Sequence, residues 1–214
     1  MPTEIPEEGN SSYRLSEAHC PAYVLAGGKS SRFGTDKALV AIDGTPQLLR
    51  LQQQLLQAGH TVAFVSDRAN RYAQLGIESL EDVESEAGPM SGLAAALVDR
   101  QAKLGEGWLL LVGCDQFLWQ PAWFGELARR GAGNLHVVAF QSESRAAPAG
   151  FAQPVPAVYH TSLLPTVLDC LTRQQRSLRR LLPEIASCSV TTPSNPRQWT
   201  FNTPDELDEL LRHQ

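Results

Sequence analysis

The chain has 214 residues and a formal net charge of −5; the length fits one domain, and the charge argues against an extended nucleic-acid groove, which calls for a strongly basic surface. Hydrophobic residues make up 43% and charged residues 19%, which supplies a full core and excludes a disordered chain. Cys20, Cys114, Cys170 and Cys188 are widely spaced with no C-x-x-C pair, the pattern of reduced thiols in a cytoplasmic protein. No apolar stretch approaches the ~20 residues of a membrane span.

Residues 1–20 are polar and acidic and lack the basic start and apolar middle of a signal peptide. They are expected to form a mobile tail ahead of one domain at 21–214. "AYVLA" (Ala22 to Ala26) is short, apolar and followed by glycines, as a buried parallel strand should be. A glycine-rich loop follows, then an Asp43-Gly44 turn. Thr45 is expected to cap a helix with Pro46 first in it and Leu48, Leu51 and Leu55 on its buried face, ending at Gly59. Strands are predicted at Thr61 to Val65, in "ESLED" and at Trp108 to Val112, with a helix capped by Ser91 running from Gly92 to about Leu104 between the last two. Gln120-Pro121 opens the next helix. "HVVAF" and the stretch around Gly150-Phe151 read as strands, joined by "QSESRAAP". Helices follow at Ser162 to Arg173 and Ser177 to Leu182. The last helix is the most clearly marked: Thr203 and Glu206 form a capping box, Pro204 is its first residue, and Leu207, Leu210 and Leu211 form its apolar face. Strands alternating with helices predict a three-layer α/β/α domain around a mostly parallel sheet.

The loop "LAGGKSSRFGTDKA" (Leu25 to Ala38) leaves the first strand where α/β proteins commonly bind nucleotides. Gly27 and Gly28 let backbone N–H groups approach phosphate oxygens, Lys29, Arg32 and Lys37 add positive charge, and Ser30, Ser31 and Thr35 add hydroxyl donors. It is neither a P-loop nor a dinucleotide fingerprint, because both need a different glycine spacing. Asp115 follows an apolar strand at its carboxyl end and is a hard oxygen ligand suited to Mg²⁺.

The same loop closely resembles the L-A-G-G-x-S-x-R-[M/F]-G-x-D-K segment of the MobA-like nucleotidyltransferases, the family of the molybdenum cofactor guanylyltransferases. "GPMSGL", "LLLVGCDQF", "QPVPAVYHTSLLP", "RSLRRLL" and "FNTPDEL" are similar to further family segments and come in the family's order, roughly over residues 22–212. The resemblance implies a fold of the nucleotide-diphospho-sugar transferase type and Mg²⁺-dependent transfer of GMP from GTP to a molybdopterin-type acceptor, with release of pyrophosphate. Leu25, Ala26 and Gly27 would lie against base and ribose, and Gly28 to Gly34 over the triphosphate. Lys37 and Arg32 would contact phosphates, Asp82 the nucleotide, and Asp115 the metal. Ser66, Gly92, Arg176, Arg179 and Asn202 would be further substrate contacts. The resemblance also names molybdoenzymes or other cofactor-biosynthesis proteins as candidate partners, and neither nucleic acid nor membrane. "LAGG", where cytidylyltransferase relatives tend to have "LAAG", favours guanine. Ser66 and Thr200 stand where the family usually has asparagines, and Leu118 where it has a proline. That keeps open a cytidylyltransferase, another nucleotidyltransferase with a different phosphorylated acceptor, or a nucleotide-binding homologue of weak catalysis.

Overall fold

The computed structural model describes residues 19–27, 33–84, 88–131, 134–141, 152–192 and 194–213. The elements that position the site are β1 (Ala22–Leu25), the hairpin β2 (Ala41–Ile42) and β3 (Thr45–Pro46), α1 (Gln47–Gln57), β4 (Val62–Ser66), β5 (Ser79–Glu81), α2 (Pro89–Leu104), β6 (Trp108–Gly113) and α3 (Pro121–Ala128). The remainder comprises β7 (Val137–Gln141), β8 (Ala152–His160), α4 (Leu164–Thr172), α5 (Leu178–Leu181), β9 (Ser187–Val190) and α6 (Pro204–Arg212).

Seven strands form one sheet in the order β5-β4-β1-β6-β8-β7-β9. The pairs β5–β4, β4–β1, β1–β6 and β7–β9 are parallel, and β8 runs antiparallel to both β6 and β7. Alternation along each strand divides the core. Ala22, Val24, Leu110 and Val112 pack beneath Leu48, Leu51, Leu55 of α1 and Trp123 and Phe124 of α3. Tyr23, Leu109 and Leu111 face the other way, onto α2, α4 and α5. Each fully buried leucine of α1 contributes roughly 2 kcal/mol of apolar burial, which is why that helix holds its face to the sheet. Among the described residues no helix is long and apolar enough to cross a membrane.

The strand order fixes where a ligand can enter. From β1 the chain works outward through β4 to β5, then returns to place β6 on the other side of β1. At such a reversal the loops after the two central strands part and leave a crevice at their carboxyl ends. Here those strands are β1, followed by the glycine loop, and β6, followed by Asp115. Their ends stay level, because Cys114 N–H donates to Leu25 O (3.0 Å) and Ala26 N–H to Val65 O (2.8 Å).

Several expectations are corrected. Asp43 (φ 50°) and Gly44 (φ 77°) both take left-handed backbone, the geometry of a tight hairpin turn. That turn pairs Ile42 with Thr45 and Ala41 with Pro46, so Thr45 belongs to β3 instead of capping α1. The helix starts at Gln47, and the residue before it, Pro46, makes no side-chain cap. Likewise α2 begins at Pro89 behind Gly88, placing Ser91 inside its first turn, where its hydroxyl accepts from Glu84 N–H (2.7 Å). Strand β9 was not anticipated; "SCSV" carries neither an apolar run nor clear alternation, and its pairing with β7 is a tertiary choice. The expected tail lies mostly outside the described residues, but its last residue, Cys20, is 1% exposed and belongs to the core. "QSESRAAP" and Gly150-Phe151 also lie outside them.

Candidate active site

Lys37 opens the short 3₁₀ turn Lys37–Leu39, whose first amide is capped by the Asp36 carboxylate through Ala38 N–H (3.1 Å). Asp36 is held in turn from the β4 side. Arg71 donates to it through Nη2 (2.9 Å) and Nε (3.2 Å), and the Tyr72 hydroxyl donates at 3.1 Å. The second Arg71 nitrogen, Nη1, meets Asp67 Oδ1. A guanidinium bridging two carboxylates is a rigid fork, and this one ties the exit of the glycine loop to the loop after β4.

Lys37 Nζ lies 3.7 Å from Asp115 Oδ2 and 3.1 Å from Asn202 Oδ1. Three residues from the glycine loop, the end of β6 and the start of α6 therefore meet at one point. The Lys37 and Asp115 side chains are 15% and 30% exposed, so the pair is screened far less than a surface ion pair. Burial holds the Asp115 carboxyl above the ordinary carboxylate range, and the Lys37 ammonium opposes that shift. Burial, then the Asp115 charge, pushes the neighbouring Cys114 thiol up to about 12; protonated at neutral pH, it is a packing residue, not a nucleophile.

Asp115 also has a fixed backbone. Gln47, fully buried at the start of α1, donates Nε2 to Gln116 O (2.7 Å) and Cys114 O (3.3 Å), the carbonyls on either side of it. Gln116 Nε2 donates to Leu118 O (2.8 Å) and Pro196 O (2.9 Å), and Phe201 N–H donates to Asp115 O (3.1 Å). Phe117, Phe201, Leu207 and Leu210 pack together against Ile42, so α6 closes over the same loop. In α6 Thr203 caps as expected, accepting from Glu206 N–H (3.2 Å), while the Glu206 carboxylate accepts from Asn202 N–H.

Two recesses flank this point. The first, about 590 Å³, is lined on the β1–β4–β5 side by Leu25, Ala26, Gly27, Val65, Asp67, Arg71, Asp82, Gly88, Pro89 and Gly92. Its walls are apolar where Leu25, Val65 and Pro89 lie, with Asp82 as a polar group among them. Burial, then the charges of Asp67 and Glu81, raises the Asp82 carboxyl to about 6. Gly92 sits so close to β1 that a Cβ there would lie 2.5 Å from Leu25 Cδ2 and 3.3 Å from Asp82 Oδ1. Gly27 has φ +119°, and a Cβ there would approach Asp67 Oδ1 to 3.2 Å. The second recess, about 370 Å³, is lined by Asp115, Gln153, Arg179, Arg197, Asn202 and Glu206, with the Pro154–Pro156 segment and Thr200.

Leu25, Ala26, Gly27, Asp82 and Gly92 thus share one recess and Asp115, Arg179 and Asn202 the other, which Lys37 adjoins through its contacts with Asp115 and Asn202. Gly28 and Arg32 lie outside the described residues. Two of the expected contacts line neither recess. Ser66 points away from the recess: alternation along β4 turns Val65 and the following Asp67 toward it, while the buried Ser66 hydroxyl donates to Arg68 O (2.7 Å) and sits 2.8 Å from Ser79 Oγ. Arg176 is apart from Arg179, held by Glu84 at 2.8 Å. Asp67, Arg71, Gln153 and Arg197 were not foreseen. Only Asp67 left a trace, as the first charged residue past a predicted strand.

Among the described residues no cluster of three or more His, Cys, Asp or Glu side chains stands ready for a metal. One carboxylate suits Mg²⁺ nonetheless, since that ion keeps several waters and takes the rest of its shell from substrate phosphates. Asp115, lining the second recess beside Lys37, fits that role.

The sequence pattern of the MobA-like NTP transferase domain matches residues 22–188. A Deinococcus radiodurans protein called a probable molybdenum cofactor guanylyltransferase is 33% identical over 190 residues, covering 88% of this chain and 92% of that one. A molybdenum cofactor guanylyltransferase of Xanthomonas euvesicatoria is 33% identical over 191 residues, with 88% and 92% covered. In structure the chain is similar to molybdopterin-guanine dinucleotide biosynthesis protein A of Archaeoglobus fulgidus, with a TM-score of 0.72 at 16% identity over 91% of this chain and 100% of that one. The chain belongs to the MobA-like NTP transferase family, nucleotidyltransferases built on the nucleotide-diphospho-sugar transferase type of fold.

Proposed function

We propose that this protein transfers GMP from GTP to the phosphate of a molybdopterin-type acceptor. The observation that carries the reading is the meeting of Lys37 and Asp115, 3.7 Å apart, at the reversal of the sheet, with one recess lined by Asp115 itself and the other by Leu25, Ala26 and Gly27 at the end of the neighbouring strand. GTP occupies the larger recess, its base between Leu25, Val65 and Gly92, its phosphates running toward Lys37. The acceptor enters the smaller one. An acceptor phosphate oxygen attacks the α-phosphorus, a new P–O bond forms, the bond to the β-phosphate oxygen breaks, and pyrophosphate leaves. The attacking oxygen is already ionised at neutral pH, so no general base is required, and catalysis reduces to alignment and neutralisation of charge. Lys37 supplies a fixed cation there. Asp115 would hold Mg²⁺, which when bound adds positive charge beside the α-phosphate. No disulfide forms among the described cysteines, which suits a reducing compartment, and the proposal sets the reaction in the cytoplasm, with the product passing to molybdoenzymes or other cofactor-biosynthesis proteins.

Asp82 carries the base preference in this reading. Ionised, it accepts from two adjacent N–H donors on the Watson–Crick edge of guanine, whereas cytosine offers its single amino group. With the carboxyl at about 6, GTP affinity should fall as pH drops through that value. Stability should move the opposite way. The folded pKa lies above the ordinary aspartate value of 3.8, so the folded state binds the proton more tightly, and the cost of the ionised form is relieved as pH falls from about 6 toward 4. Asp82→Asn should therefore raise the melting temperature at neutral pH while narrowing the preference for GTP over CTP. Pyrophosphate release with each of the four ribonucleotides, with and without molybdopterin, tests the assignment. Equal rates with GTP and CTP would remove the guanine specificity, and GTP binding without turnover in the presence of molybdopterin would remove the activity.

Gly92 offers a separate check on where the base lies. Alanine there favours the helix by up to ~1 kcal/mol, but its methyl displaces Leu25 Cδ2 and crowds Asp82. Gly92→Ala should leave the melting temperature nearly unchanged and weaken GTP binding by about 10-fold, the lower end of an overpacking penalty. Calorimetric titration beside a thermal melt separates the two effects.

A further inference from the structure

The smaller recess contains more recognition chemistry than transfer at phosphorus uses. Arg179 reaches it from α5 and Arg197 from the 3₁₀ turn Pro196–Trp199. Among the described residues neither guanidinium has an ion-pair partner, whereas Arg129, Arg173 and Arg176 each have one and Arg71 has two. Glu206 faces the same space, but its carboxylate already accepts from Asn202 N–H. On the β8 wall Gln153 is 4% exposed, and its Nε2 has no hydrogen-bond partner. A buried amide donor left unpaired is uncommon and costly. Here it lines a cavity beside two uncommitted cations, next to the carboxylate at the reacting centre.

We infer that Arg179, Arg197 and Gln153 are the acceptor-recognition set: the two guanidiniums hold the phosphate of a phosphorylated heterocycle, and Gln153 Nε2 donates to a carbonyl or ring nitrogen of the heterocycle itself. The assignment rests on the guanylyl-transfer reading for the direction of attack. The residues are the chain's own and lie on the opposite side of Asp115 from the nucleotide. Bidentate guanidinium–phosphate pairing fixes orientation as well as charge, which an acceptor aligned for in-line attack requires. The carboxamide then distinguishes a heterocyclic acceptor from a sugar phosphate of similar charge.

The test uses the full chain and two fluorescent probes, a phosphorylated 6-substituted pterin and its dephosphorylated counterpart, followed by anisotropy at several salt concentrations. The wild type should bind the phosphorylated pterin with an affinity that falls as salt rises. The Arg179→Ala, Arg197→Ala double variant should lose at least about 10-fold in that affinity, together with most of the salt dependence, while binding the dephosphorylated probe as the wild type does. Lysine at both positions should restore the salt dependence but not the full affinity. Gln153→Leu should weaken both probes and keep the salt slope; Gln153→Glu, which replaces the donor by an acceptor, should weaken them further. GTP affinity should stay unchanged in every variant. Unaltered phosphopterin binding in the double variant overturns the proposal, as does a wild type that binds GTP but neither probe. A wild type that binds the phosphorylated probe through these residues yet ignores GTP would retire the guanylyl reading and leave the acceptor set standing.

Discussion

Asp115→Asn is expected to lower molybdopterin-dependent pyrophosphate release by about 10²–10³-fold, the scale of losing one fixed electrostatic group at a reacting phosphate or oxyanion. The substitution keeps the shape of the side chain, and the bonds that hold the loop in place go to backbone atoms, Phe201 N–H to Asp115 O among them. The fold should therefore survive. It also removes a carboxyl that burial already holds above its ordinary range, so the melting temperature should stay level or rise. Lys37→Ala should cost a comparable factor, felt in both kcat and KM, because the ammonium meets the phosphates in ground state and transition state alike. The two residues touch, so the double variant should lose much less than the product of the single losses. Steady-state kinetics on the three variants decides it. Turnover within twofold of wild type in Asp115→Asn would sink the role given to that carboxylate.

The parts of this site that the sequence displays are those encoded locally. "AYVLA" and "WLLLV" are uninterrupted apolar runs, hence central strands, and the residues that follow them lie at the carboxyl edge of the sheet. Thr203, Pro204 and Glu206 mark the start of α6 by capping chemistry that involves only neighbours in the chain. Meetings between distant segments leave no such mark. The Asp43-Gly44 pair does mark a tight turn, but Thr45 itself carries no sign that it pairs back with Ile42 in place of capping α1. Nor does a single arginine in "DRANRYAQ" announce that it bridges Asp36 and Asp67. Ser66 lies one residue of strand alternation away from Val65 and Asp67, which line the recess, and a single step of that period turns a side chain to the other face. Arg197 lies in a short turn without periodicity, and only the folded chain brings it beside Arg179.

Gln47 is the strongest case of a residue whose role exists only in three dimensions, and it carries the second large prediction. From the sequence it is a polar residue next to a proline. In the fold it is fully buried, with one amide group spanning the carbonyls on both sides of Asp115. Seven residues on, Gln54 takes Trp119 N–H (2.6 Å), so one face of α1 grips the loop at two places. Gln47→Leu keeps the volume and strands two buried carbonyl groups, at about 1–3 kcal/mol for each group left unpaired. A fall in melting temperature of roughly 4–8 °C is expected for a loss near 2 kcal/mol in a chain of this size. The kinetic consequence should be selective. The clamp lies behind Asp115 and touches neither recess, so kcat should drop by about 10-fold, the cost of a loosened catalytic group, with the KM for GTP nearly constant. Gln47→Glu should be worse on both counts, because a carboxylate would face two carbonyl oxygens with no proton to offer. A lowered melting temperature with kcat intact would show that the clamp serves the fold alone, and that Asp115 finds its place without it.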